Sequence, residues 1–191
     1  MEGRGEPTNP AEPTPSFEDR LNSSGMRYAY QVSYSTRLLG DICERYQQAQ
    51  DADDPVPALA LLDAFYVHLR LLAEFLTRET KDFDFGPATF GVEWSCPKTE
   101  AARRLKGYWH DASKYVVHFG HARVPDEVSD LEPFDVSAPA LRRMAADALK
   151  VLNEFIVQVE ENAPGGSMLL VSDLQAQELR QGYDHASERL G

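Results

Sequence analysis

The sequence predicts an all-α protein: an antiparallel four-helix bundle with a disordered N-terminal tail and a short C-terminal helical extension. Two observations carry that expectation. Four segments place apolar side chains at alternating steps of four and three, the spacing of one helix face. No stretch alternates between apolar and polar residues as a half-buried strand does. Connections of short to medium length then favour neighbouring helices that run up and down. The division is a tail over 1–16, a bundle domain over 17–163 and an extension over 164–191.

Residues 1–16 hold four prolines and almost no apolar side chains, too little to offset the entropy of ordering them. The first helix spans about 18–50, with Tyr28, Val32, Ser35, Leu39, Ile42 and Tyr46 on one face. The run Asp51–Pro55 ends it and starts the next, since acids and proline belong at a helix N-terminus. The second helix spans about 56–79, with Ala58, Leu62, Phe65, Leu69, Leu72 and Leu76 in register. A parallel row through Leu61, His68 and Phe75 makes it the most apolar helix, expected at the centre. Residues 80–97 break the period with Gly86, Pro87, Gly91 and Pro97 among aromatics, and read as an ordered loop with Phe and Trp anchors. The third helix covers about 98–122 along Ala101, Leu105, Tyr108, Ala112, Tyr115 and Phe119. The fourth covers about 138–162 along Leu141, Ala145, Ala148, Leu152, Phe155 and Val159. A short helix is expected over 172–190, capped by Ser172 or Asp173.

Composition narrows the function classes. The 191 residues carry 31 acids against 19 bases, a formal charge of −12, and 42% are apolar. That excludes a broad nucleic-acid coat, which needs a basic surface, and a polybasic membrane-surface protein. Two isolated cysteines, Cys43 and Cys96, form no C-x-x-C pair and suit a reducing compartment. No apolar signal core follows Met1, and no run of about 18 uncharged apolar residues predicts a membrane span. A cytoplasmic protein without membrane contact is expected, and no cofactor motif is present.

The charge is uneven. Residues 98–123 carry Lys98, Arg103, Arg104, Lys106, Lys114 and Arg123 against Glu100 and Asp111, so this segment stands at +4 and the remainder at −16. Three of the five histidines, His110, His118 and His121, are here too. Such a helix is either a confined anion site or a basic partner for the protein's own acids. Arg103, His110, Lys114 and His121 fall near one face of it, and Asp111 and His118 share another. Imidazoles beside cations suit phosphate positioning and proton transfer, while histidines near a helix C-terminus also complement its dipole. His118-x-x-His121 has the spacing of half a metal site, but the Glu-x-x-His pairs of carboxylate-bridged bundles are absent. His68 reads as a core histidine and His185 as a surface one.

Two strings together, LLDAFYVHLRLLAEFL (61–76) and YWHDASKYVVHFGHAR (108–123), resemble a branch of small bacterial bundle proteins related to the HEPN superfamily, including abortive-infection-like members. The resemblance implies an up-and-down four-helix bundle, often a homodimer, and in active members a metal-independent ribonuclease. That activity uses an Arg followed four to six residues later by a His, which here corresponds to Arg104 and His110. Leu105 stands where a polar residue is usual, and Arg104 and His110 lie about 120° apart around the helix. Many members lack the pair and serve as binding or partner modules. The leading expectation is therefore a helical-bundle module that binds a protein partner or a second copy, without catalysis. Under the ribonuclease alternative the ligand is RNA, Arg104 and Arg123 stabilise phosphate charge, and His110 or His118 moves protons. A third alternative is a metal-binding bundle using His118 and His121.

Overall fold

A computed structural model describes residues 24–80, 85–113, 135–163 and 171–191. Among them the regular structure is entirely helical: α1 (Ser24–Asp51), α2 (Pro55–Thr77), α3 (Glu100–Asp111), α4 (Ala138–Asn162) and α5 (Val171–Leu190), with a 3-10 turn at Pro87–Phe90. The expected tail over 1–16 lies outside the described residues, as do residues 114–134, which include the second part of the expected third helix with Tyr115 and Phe119, and residues 164–170.

Local chemistry sets the helix starts. After α1 the chain turns at Asp53, held at a φ of 51°, a left-handed conformation that Asp tolerates better than most residues. Asp54 is then extended and Pro55 opens α2, where a missing N–H costs nothing. Thr99 caps α3 by accepting from the Ala102 N–H. Ser137 caps α4 by accepting from the Ala140 N–H, and Asp135 holds that serine through both its N–H and its hydroxyl.

The apolar stripes meet in one core. Leu39 of α1, Leu69, Leu72 and Leu76 of α2, Leu105 of α3, Leu141, Leu152 and Ile156 of α4 and Leu179 of α5 are all fully buried. Phe155 gathers the loop onto it: the rings of Phe75, Phe90 and Trp94 meet its ring edge-on at 5.2, 5.4 and 5.4 Å. Trp94 also donates its indole N–H to the Leu76 carbonyl. The described part of the loop is thus anchored by Phe and Trp, as the sequence predicts.

Three expectations are corrected. α4 rather than α2 is the most enclosed helix, with 12 of its 25 residues buried against seven of 23, and α2 has no buried residue before Phe65. The C-terminal helix is 20 residues long and packs along α1, so it is a wall of the fold rather than a short extension. His185, expected on the surface, is half-buried in that wall and bonded to Asp41 at 2.9 Å.

Candidate functional site

The third helix was the part of the sequence richest in chemistry, and Arg104 is its most constrained side chain. Its Nε and one terminal nitrogen donate to the two carboxylate oxygens of Asp147 on α4, each at 2.7 Å. Tyr108 donates its hydroxyl to the same carboxylate at 3.0 Å. Asp147 is 3% exposed, and these three donors satisfy its buried carboxylate oxygens. Arg104 gains reciprocally: its hydrogen bond to Asp147 raises its pKa, and burial raises that of Tyr108. On the exposed side Glu100 bonds Arg103 at 2.6 and 2.9 Å and Arg104 at 3.3 Å; mainly through Arg103, its carboxyl is held down at about 2.

Of the predicted catalytic set, Arg104 and His110 are described. Arg104 turns its fork to α4, His110 is exposed in the last turn of α3, and no hydrogen bond or ion pair joins them. His118, Arg123 and the possible ligand His121 lie outside the described residues. Among the described residues no cluster of three or more His, Cys, Asp or Glu is placed to hold a metal. His68 sits half-buried with Nδ1 3.3 Å from the Ser35 hydroxyl and its ring against the edge of Tyr34; burial lowers its pKa.

A cleft of about 460 Å³ opens between α1 and the C-terminal half of α2, closed at one end by Thr80, Phe85 and Gly86. Val32, Leu72, Phe75 and Phe85 give it an apolar wall. Its polar lining includes Arg70, Glu74 and Arg78, and these side chains reach on to α3 and Ser113. Arg70 donates to the Ser113 hydroxyl at 2.9 Å and pairs with Glu74 at 3.3 Å, and the Trp109 indole N–H donates to Glu74 at 3.4 Å. The Arg78 guanidinium carbon sits over Trp109, 3.8 Å from the ring centroid, with no carboxylate partner among the described residues. A second hollow continues past Arg78 between Thr80, Lys106 and Trp109.

Sequence reasoning missed Arg78, Trp109 and Asp147. Arg70, Glu74 and Arg78 recur every four residues in an otherwise apolar helix, which marks one polar edge of α2. Asp147 directly precedes Ala148 of the α4 stripe, a charge beside a buried row.

A third surface is apolar. Tyr30 and Tyr34 of α1 stack at 6.2 Å and are 57% and 44% exposed; beside them Val67 and Leu71 of α2 are 43% and 47% exposed. Val56 and Leu59 carry the same outer side of α2 toward its N-terminus. This surplus makes α2 long and apolar enough to cross a membrane by length and composition, although Asp63, Arg70 and Glu74 interrupt it.

No family model matches the chain, and no curated protein or solved structure is significantly similar to it.

Proposed function

We propose that this chain is a cytoplasmic, non-catalytic partner-binding module that associates with a second copy of itself through the outer face of α1 and α2. The observation that carries this reading is the uncovered apolar patch of Tyr30, Tyr34, Val67 and Leu71. A helix that is apolar around most of its circumference belongs in an interior, and here the inner half alone is covered. Its four side chains are uncharged, and the nearby charges Arg70 and Glu74 pair with each other, which favours a second copy as the occupant. Two chains of net charge −12 repel over most of their surfaces, and a two-fold interface sets like against like. A neutral patch is where that repulsion is absent.

The scaffold in this reading is an antiparallel four-helix bundle of α1–α4, with α5 beside α1. The order of side-chain contacts supports it for α2, α3 and α4. Arg70 meets Ser113 while Glu74 meets Trp109, and Thr99 and Arg104 share a hollow with Lys150 and Asn153 while Tyr108 meets Asp147. In each pair one number rises as the other falls. The reading fits the HEPN-like bundles that lack the catalytic pair. Against the ribonuclease alternative stands Arg104, whose fork is committed to buried Asp147 and is not free to hold phosphate.

Sedimentation velocity tests the proposal. The wild-type chain should sediment as a dimer at micromolar concentration, and Val67→Glu as a folded monomer with unchanged far-UV circular dichroism. A wild-type monomer overturns the reading, and flotation of the wild type with neutral phospholipid vesicles reassigns the face to a membrane. Incubation with tRNA in EDTA should leave the RNA intact; cleavage that vanishes in His110→Ala restores the nuclease.

A further inference from the structure

Two copies joined through α1 and α2 can lie parallel or antiparallel, and the charges at the ends of that face distinguish the two. Resting on the self-association reading, we propose that the partner copy docks antiparallel, each acidic α1–α2 turn against the basic end of the same face on the other chain. The face is bipolar. At one end the turn carries Asp51, Asp53 and Asp54, and Asp63 follows on α2, against Arg45. Arg45 belongs to this end because it shares a hollow with Asp54 and Pro57. At the other end stand Arg27 and Arg78 against Glu79. Arg27 belongs there because its neighbour Tyr28 stacks on Phe85, just past α2. All of these residues are exposed, and among the described residues no ion pair joins any of them. The apolar patch lies between the two ends, where the Tyr34 and His68 rings meet.

Asp63 and Arg78 set the register. They lie about 22 Å apart along α2 and within about 60° of each other around it, by the rise and turn of a helix. The midpoint between them falls at Arg70 and Leu71, inside the patch. A two-fold axis through that midpoint and across α2 brings Asp63 opposite the partner's Arg78, and by symmetry Arg78 opposite the partner's Asp63. Val67 and Leu71 then meet their copies between the two ion pairs. A two-fold axis along α2 instead sets Asp63 beside the partner's Asp63 and the two acidic turns side by side. That arrangement adds local repulsion to that of two chains at a net charge of −12 each.

Sedimentation equilibrium of the full chain at low salt tests the pairing through the dimer dissociation constant. Asp63→Asn should weaken the dimer about threefold or more, because two exposed ion pairs are lost per dimer. The direction is diagnostic. Removing a negative charge lowers the overall repulsion, and side-by-side pairing would be relieved as well, so both predict tighter association. Arg78→Gln should weaken the dimer by a similar factor. Asp63→Lys combined with Arg78→Glu in one chain should return it to within about twofold of the wild type, and raised salt should shrink all these differences. Far-UV circular dichroism should be unchanged in every variant. Zero-length carbodiimide coupling of Arg78→Lys should give an amide between position 63 of one chain and position 78 of another, identified by peptide mass spectrometry. Within one chain those positions are too far apart to couple. Tighter association of Asp63→Asn, or a dimer that yields no such cross-link, overturns antiparallel pairing and leaves self-association standing. A monomeric wild type overturns both.

Discussion

The two flanks of α1 are built on opposite principles. Toward α5 the helix presents small residues and the backbones close together. A Cβ at Gly182 would lie 2.8 Å from the Ser33 Cα, and one at Gly40 would lie 2.8 Å from the Ala186 Cα. Ion pairs finish the seam: Arg37 with Glu178 at 3.3 Å, and Arg189 with Glu44 at 2.8 Å. Toward the outer edge of α2 the same helix presents Tyr30 and Tyr34, large rings left half in solvent. The seam is shaped to one neighbour so closely that nothing larger fits. The open face has area without a fitted partner among the described residues. Shape complementarity marks contacts the fold has completed, and exposed aromatic area marks one it has not.

Glycine substitutions break the comparison most strongly. Gly182→Ala and Gly40→Ala should each destabilise by about 1–3 kcal/mol, the usual cost of overpacking. The clash is with backbone, which cannot swing aside. Gly107 of α3 is the control, because a Cβ there meets nothing within 4 Å. Gly107→Ala should stabilise by up to about 1 kcal/mol through helix propensity. Urea denaturation reads all three. If the seam glycines gain stability like Gly107, the close approach of α1 and α5 is wrong.

The open face should answer differently. Val67→Glu should change folding stability by less than about 0.5 kcal/mol, as surface substitutions do, while changing the sedimentation coefficient. A large loss of stability with no change in sedimentation would make the face part of the core.

The inner side of α1 is sharpened by its thiol. Cys43 is 1% exposed and burial pushes it up to about 12, whereas Cys96 in the loop is half-buried and raised by the same cause to a lesser extent. Ellman's reagent should modify Cys96 first and reach Cys43 on the timescale of unfolding. Simultaneous labelling in the native state would mean that α1 opens far more readily than its packing allows.

These contrasts also explain what was legible in the sequence. α1 to α4 announce themselves because Leu, Phe and Val recur at helical spacing, and Pro55, Thr99 and Ser137 mark their starts. α5 was underrated because it buries Ala176, Gly182 and Ala186, residues whose contribution is closeness rather than area. Asp147 was hidden because a buried carboxylate is recognisable only when Arg104 and Tyr108 are seen around it. The cleft depends on two helices whose facing residues are about 40 positions apart in sequence, as Val32 and Leu72 are. One helix wheel at a time does not bring those residues together.

The smallest effect lies beneath the open face. His68 rests on Ser35 and against Tyr34, and burial lowers its pKa in the folded chain below the ordinary value near 6.5. The unfolded chain therefore takes up this proton at a higher pH than the folded chain does. Above about pH 6.5 both states are neutral at this site and stability is undiminished. As pH falls through that value the unfolded state binds the proton first, and stability declines until the folded-state value is passed. The wild type should lose stability between neutral and mildly acidic pH by more than His68→Gln does, both measured by urea denaturation. The difference between the two curves isolates the histidine from the carboxylates that titrate below it. If His68→Gln follows the wild-type curve, the imidazole is solvated, and the Tyr34 side of α1 is more open than its packing on α2 implies.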